Sequence, residues 1–355
     1  MQVGFGGMRT YTDNLVRSLQ KMDHGFDITV INTEIEGIRG NLTFTALPYK
    51  KLPGRFFIRN FYQIPKLLQE FQPDAVLETT HFGPFRVPTH TKRFTVIHDV
   101  TTFLFPKYHK WNIRWIEKLF VPRIIRKSSQ IITVSECSKK DIMSQFGVKK
   151  DKISAIHLGK EDVFRQVNDL AILDKHGIRK PYFLHVGTIE PRKNIITLID
   201  AYTAFRQSSD CNHSLVLTGM VGWKSAKIMK AIKDNPYHDD IIVTGHAEKS
   251  DLPVIYSMCE AFIYPSFYEG FGLPLLEAMS CGAPCIASNT SSIPEVGGDA
   301  PLYFDPFDKD ELQRCMKKVA KDASLQNEMR RASLNRANKF GWEETARQLV
   351  EIISI

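Results

Sequence analysis

Short apolar runs separated by longer amphipathic stretches recur along the whole chain. Runs at residues 27–31, 75–77, 94–97 and 130–134 read as strands, while 11–21, 58–71, 111–127 and 138–146 repeat apolar positions at helical spacing. A further run at 153–156 is followed by a polar segment, 159–168, that reads as a linker. The alternation then starts again, with strands at 182–186, 214–217, 241–243, 261–264 and 285–287, each followed by a helical stretch. Such alternation predicts parallel sheets with helices on both faces, here two successive doubly wound α/β domains. The expected domains are residues 1–165 and 166–341, with a closing helix at 342–355. Two such sheets are expected to face a central crevice at the carboxyl ends of their strands. The sequence opens Met1-Gln-Val-Gly-Phe-Gly-Gly7 and turns helical near Tyr11, so the strand expected ahead of this glycine loop is missing from the pattern.

A chain of 355 residues with 43% hydrophobic residues has enough apolar side chains for two ordinary cores. No apolar run approaches the roughly 20 residues of a membrane helix. No basic-then-apolar leader opens the sequence, so a cytoplasmic protein is expected. The six scattered cysteines, Cys137, Cys211, Cys259, Cys281, Cys285 and Cys315, read as reduced thiols.

Charge is unevenly spread. Residues 1–168 hold 26 Lys and Arg against 15 Asp and Glu, a net of +11, and the remainder holds 21 against 24, a net of −3. No helix-turn-helix, zinc-finger or RNA-binding signature accompanies the basic half, so nucleic acid is not the expected partner. An anionic membrane surface or a lipid-diphosphate acceptor fits better. Aromatic and basic residues interleave across 111–127, including Trp111, Trp115, Arg114 and Lys118, and again at Lys50, Lys51, Arg55 and Arg59. One face of 111–127 is expected in the core and the other at an interface.

The chemistry concentrates at two strand-to-helix turns. Glu269-Gly-Phe-Gly-Leu-Pro-Leu-Leu-Glu277 puts one carboxylate on a glycine-rich loop and a second inside the following helix. Pro274 suits the start of that helix, and Gly270, Phe271, Gly272 and Leu273 leave backbone N–H groups and the positive helix end facing an anion. Upstream, His185-Val-Gly-Thr-Ile-Glu-Pro-Arg-Lys-Asn194 turns at Gly187 and Thr188 and sets Arg192 and Lys193 at the opening of a helix, on the surface of the crevice. A guanidinium fork beside an ammonium suits a diphosphate. Glu277 is placed to accept hydrogen bonds from a vicinal diol such as a ribose.

Together these elements resemble the family-4 retaining glycosyltransferases of the GT-B fold, whose pattern is a Gly-Thr-x-x-x-Arg-Lys-Asn turn followed by a Glu-x7-Glu loop and helix. The resemblance covers nearly the whole chain. It implies transfer of a hexose from a nucleotide-diphospho-sugar to a glycan or lipid-linked acceptor, with no cofactor and no metal required. It implies an acceptor-binding first domain, onto which the closing helix packs, and a donor-binding second domain. His98, at the end of the strand 94–97, is implied to meet a sugar hydroxyl, with Asp99 holding the imidazole or capping the next turn. Arg192, Lys193 and Glu269 are implied to act on the reacting donor. Gly6 and Gly7 are implied to let backbone approach the donor phosphate, and Lys224, His246 and Ala247 to line the nucleotide. Ser138 reads as a helix N-cap and Asp141 as a first-turn charge. The His-Asp, Phe-Pro-x-Tyr-His and Val-Ser-x-x-Ser elements look mannosyltransferase-like, which favours GDP-mannose with UDP-sugars close behind. The rivals are a GT-B sugar-nucleotide 2-epimerase and a non-catalytic nucleotide-sugar-binding partner in a polysaccharide assembly complex.

Overall fold

A computed structural model describes residues 6–32, 43–46 and 55–354. The chain divides into two compact units, Lys160–Phe340 and the residues on either side of it, so the break falls at the very start of the polar segment.

In the flanking unit, β1 (Thr29–Asn32) pairs in parallel with β2 (Thr43–Ala46), a strand that the apolar pattern does not announce. The main sheet is parallel and ordered β3 (Ala75–Glu78), β4 (Lys92–Ile97), β5 (Gln130–Thr133), β6 (Ile153–Ala155). After Lys92 every residue of β4 is buried, as in a sheet covered on both faces. Ile97, Val121, Ile125, Ile131 and Ile142 pack this sheet against the helices Trp111–Lys127 and Glu136–Phe146. The closing helix, Trp342–Ile353, lies against the helix Gly6–Lys21, with the Tyr11 and Trp342 rings 6.0 Å apart.

Four local expectations are corrected here. Gly6 and Gly7 are not in a loop but in the first turn of the helix Gly6–Lys21. The first N–H groups of a helix have no intrahelical acceptor, so weak helix formers cost least there. Ser138 is not the cap of its helix. The cap is Ser135, whose Oγ accepts from the Ser138 N–H at 3.0 Å. The stretch 58–71 is not one helix but an α turn Arg55–Ile58, a π turn Arg59–Gln63 and a helix Ile64–Phe71. Pro65 has no N–H to return to the Phe61 carbonyl and its ring crowds that oxygen, which the widened turn accommodates. Finally, Arg192 and Lys193 do not open a helix. They end a 3₁₀ turn, Pro191–Lys193, and Asn194 at φ 56° separates them from the helix Ile195–Gln207.

The helix Trp111–Lys127 buries Glu117, Val121, Ile124 and Ile125 and leaves Trp111 and Trp115 74% and 70% exposed. Lys50 and Lys51 lie outside the described residues. Among those described, no helix is long and apolar enough to cross a membrane, and the cysteines are free thiols.

In the Lys160–Phe340 unit, β7 (Tyr182–Val186), β8 (Ser214–Thr218) and β9 (Ile241–Gly245) run outward in sequence. The chain then returns to the other side of β7 and lays down β10 (Ala261–Tyr264), β11 (Cys285–Ser288) and β12 (Leu302–Phe304). All pairs are parallel, and β7, β8, β10 and β11 are buried throughout. The order reverses between β7 and β10, and the loops at the carboxyl ends of those two strands flank the point where open α/β sheets bind ligands.

Candidate active site

The two loops at this reversal are the two that carry the charged motifs. The loop after β7 brings Glu190, Arg192 and Lys193, and the loop after β10 brings Glu269. Phe267 N–H donates to the Arg192 carbonyl at 3.0 Å, so the backbones are tied directly. Arg192 Nη1 donates to the Tyr268 carbonyl at 2.7 Å and to Glu269 Oε2 at 2.9 Å, and Nη2 donates to Glu190 Oε1 at 3.0 Å. Lys193 Nζ donates to Glu269 Oε1 at 2.6 Å and sits 5.3 Å from the centre of the Tyr264 ring. One carboxylate thus bridges two cations, and a second carboxylate completes the cluster.

The expectation that both cations lie on the surface is corrected for Lys193, while Arg192 stays partly exposed. Lys193 is 7% exposed and Glu269 is also buried, each supplying the counter-charge and hydrogen bond without which the other would be an unpaired buried ion. Burial by itself would raise the Glu269 carboxyl, but Arg192 and Lys193 override it and hold it well below the usual carboxylate range. Burial lowers the Lys193 ammonium against the pull of Glu269, and raises Glu190 against Arg192. Glu269 is therefore an ionised, acceptor-only group. Its backbone is fixed as well: Glu269 N–H donates to Ser291 Oγ at 3.0 Å, and Ser292 Oγ donates to the Glu269 and Phe271 carbonyls.

Beneath the first loop, His185 is fully buried and donates from Nδ1 to the Ile263 carbonyl at 3.0 Å. Burial brings its titration down to about 4, so it is neutral. Gly219, at φ 147°, closes against the same loop, since a Cβ there would lie 2.1 Å from the Gly187 carbonyl oxygen. Gly272, at φ 114°, caps the helix Leu273–Ser280, whose N-terminus has no side-chain cap. Gly270 is partly exposed, and Phe271 packs into the unit against Phe340. Leu273 opens the helix and Glu277 stands one turn further on. Tyr256 donates to Glu277 Oε2 at 3.0 Å, and burial raises the Glu277 carboxyl to about 7.

Of the other expected residues, Gly187 and Thr188 form the turn after β7. Lys224 is exposed at φ 57° on the loop after β8, and His246 is exposed after β9 beside the buried Ala247. Gly6, Gly7 and His98 belong to the flanking unit. His98 Nε2 donates to the Thr79 carbonyl at 3.0 Å, its ring meets Tyr11 edge-on at 5.1 Å, and Ser138 Oγ donates to its carbonyl. Burial brings it down to about 4, so the imidazole is neutral and Nδ1 is its acceptor. Asp99 Oδ1 accepts from the Thr101 N–H and hydroxyl, so it caps the next turn.

Sequence reasoning missed Glu190, Tyr256 and the Ser291-Ser292 pair. Glu190 stands two residues before Arg192 inside the same motif, a signal that was available. Tyr256 is one apolar-looking residue of a short helix and gave none. The chain's Asp-x-Asp sequence, Asp308 to Asp310, is a helix cap, with Asp308 Oδ1 accepting from the N–H groups of Asp310 and Glu311. Among the described residues no cluster of three His, Cys, Asp or Glu could hold a metal.

Comparison with known proteins adds the family. Residues 170–336 match the model of glycosyl transferases group 1, and residues 5–160 that of glycosyltransferase family 4. The chain is 34% identical to O-antigen chain mannosyltransferase B of Escherichia coli, across 76% of this chain and 72% of that one. It is 26% identical to the O-antigen chain mannosyltransferase RfbU of Salmonella typhimurium, across 75% and 71%. In fold it is similar to a sucrose-phosphate synthase from Thermosynechococcus elongatus, with a TM-score of 0.78 and 18% identity over 98% of this chain and 93% of that one.

Proposed function

The chain belongs to the family-4, group 1 glycosyltransferases of the GT-B fold, and from that premise we propose that it moves a mannosyl group, with retention, from GDP-mannose to a glycan or lipid-linked acceptor of a surface polysaccharide. The Glu190–Arg192–Lys193–Glu269 cluster at the strand reversal, buried except for part of Arg192, carries this reading. The sugar is favoured by the two O-antigen mannosyltransferase relatives, with a UDP-sugar as the next candidate.

As the glycosidic bond to the donor breaks, negative charge builds on the departing diphosphate. Arg192, Lys193 and the uncapped N-terminus of Leu273–Ser280 are fixed dipoles and charges that oppose that build-up without reorganising. Glu269, ionised and acceptor-only, holds a donor-sugar hydroxyl and orients the ring. It is not assigned as a nucleophile, because both oxygens are already engaged by cations. Glu277 receives the ribose diol, and Gly187, Thr188, Lys224, His246 and Ala247 line the nucleotide. The Lys160–Phe340 unit is the donor domain. The flanking unit binds the acceptor, where neutral His98 accepts a hydrogen bond from a sugar hydroxyl through Nδ1. The work is done at the cytoplasmic face of a membrane, on which the exposed Trp111 and Trp115 and their basic neighbours rest.

A thermal-shift panel of GDP, UDP and dTDP tests the donor, since a ligand at a hundred times its dissociation constant stabilises by about 2.7 kcal/mol. GDP is expected to raise the melting temperature most, and labelled GDP-mannose should then lose its mannose to acceptor. A larger rise with UDP assigns a UDP-sugar instead, and no rise with any of the three rejects the nucleotide site.

A further inference from the structure

We propose that Tyr256 is a positioning residue for nucleotide recognition, its hydroxyl fixing the Glu277 carboxylate that receives the ribose diol. This rests on the reading of Glu277 above and adds a residue that neither motif contains. Tyr256 sits on the helix Leu252–Ser257 and is fully buried. Phe262 and Phe164 meet its ring nearly edge-on, with centroids at 5.4 and 6.1 Å, so the ring has nowhere to turn. Its hydroxyl donates to Glu277 Oε2 at 3.0 Å. Burial, and then the charge of Glu277, raise the phenol well above its ordinary range, so it remains a donor at every working pH.

The donation does two things. It selects one orientation of a carboxylate that is otherwise a rotor at the end of three single bonds, which lowers the entropy lost when a diol is bound. It also favours the ionised form, in which both oxygens accept. The charged and titratable groups around Glu277 are Tyr256 from Leu252–Ser257, Tyr264 from β10, Cys281 just beyond its own helix, and the Glu161–Lys249 ion pair. Burial raises the Glu277 carboxyl, Tyr256 lowers it, and within the ion pair Glu161 raises it while Lys249 lowers it. Removing the phenol therefore moves the carboxyl further up, and any binding that needs the anion moves with it.

The test compares the wild-type chain with Tyr256→Phe. The probe is GDP or UDP, whichever stabilises the wild type more, beside the same nucleotide as its 2′,3′-dideoxy form. Dissociation constants are measured from pH 5.5 to 9. Wild-type affinity for the ribonucleotide should rise with pH through about 7, where Glu277 ionises, and the dideoxy form should show little of that rise. Tyr256→Phe should weaken the ribonucleotide about three- to tenfold at pH 7, shift its rise to higher pH, and leave the dideoxy form unchanged. Adding Tyr256→Phe to Glu277→Gln should cost no further affinity, because the group it positions is already altered. Equal weakening of both nucleotides makes Tyr256 a packing residue and overturns the proposal, as does an unmoved pH midpoint. A wild type that binds ribo and dideoxy forms alike, or binds neither GDP nor UDP, removes the ribose reading itself. Should Tyr256→Phe fail to fold, Glu277→Gln still tests the premise on which the proposal stands: a pH rise that persists in that variant is not Glu277's, and the proposal falls.

Discussion

Lys193 shows what a single side chain does in this site. It is a buried ammonium whose compensation is Glu269, 76 residues along the chain. Lys193→Ala leaves Glu269 with Arg192 alone, and stability should fall by about 3–5 kcal/mol, the range for breaking a buried ion pair. Urea unfolding at pH 7 measures it, and Lys193→Ala combined with Glu269→Ala should recover part of the loss. Replacing Arg192 and Lys193 together should lower turnover of the folded fraction by about 10²-fold or more, as for lost stabilisers of developing charge. The Glu269 carboxyl is depressed in the folded chain, so its stabilisation is present above the ordinary carboxylate range and lost as pH falls below it. Glu277 has the opposite sign. Its carboxyl is raised to about 7, so the folded chain holds an extra proton between the ordinary range and 7, and the stability present below that window is lost as pH rises through it. Glu277→Gln should therefore gain on the wild type as pH rises from 5 to 8, by roughly 1–2 kcal/mol, while weakening ribonucleotide binding about tenfold. A melting-temperature difference between the two chains that is flat across that range would contradict the assignment.

Among the elements, Ser135 tests the corrected helix start. Ser135→Ala should destabilise the flanking unit by about 0.5–2 kcal/mol in thermal unfolding. Ser138→Ala, which keeps the cap, should cost less. The interior strands of both units were legible because a parallel strand buried on both faces is a run of apolar residues, and 182–186 and 261–264 have no other reading. β2, Thr43-Phe-Thr-Ala46, alternates threonine with apolar residues and makes no apolar run, and β12 is three residues set between Pro301 and Asp305. The break in 58–71 was hidden because Pro65 alone does not say whether a helix kinks, widens or ends. The site divided in the same way. Its motifs, Arg192-Lys193 and Glu269 to Glu277, could be read locally. That Lys193 is buried and that Glu269 bridges it to Arg192 could not, because the pairing is made by strand order and not by neighbours in sequence.

On the scale of the molecule, charge is sorted between the halves, +11 against −3. The flanking unit exposes Trp111, Trp115 and the 73%-exposed Tyr62 among lysines and arginines. Binding to anionic vesicles should be measurable at low salt and fall steeply as salt rises, since each basic residue near such a surface contributes about 1 kcal/mol within a Debye length. Trp111→Ala with Trp115→Ala should weaken it, leaving hydrolysis of a soluble donor unchanged, and co-sedimentation without preference for anionic over neutral vesicles would sink the membrane reading. The proposed donor site has the reverse character. Glu190 and Glu269 balance the formal charge of Arg192 and Lys193, so the cluster exerts little pull on a distant anion and acts on one only at contact range. Inorganic phosphate and pyrophosphate have only charge to offer such a site and should be turned away. On the proposed reading a nucleotide gains its hold through its nucleoside, and such an enzyme would work undisturbed in a solution crowded with free phosphates.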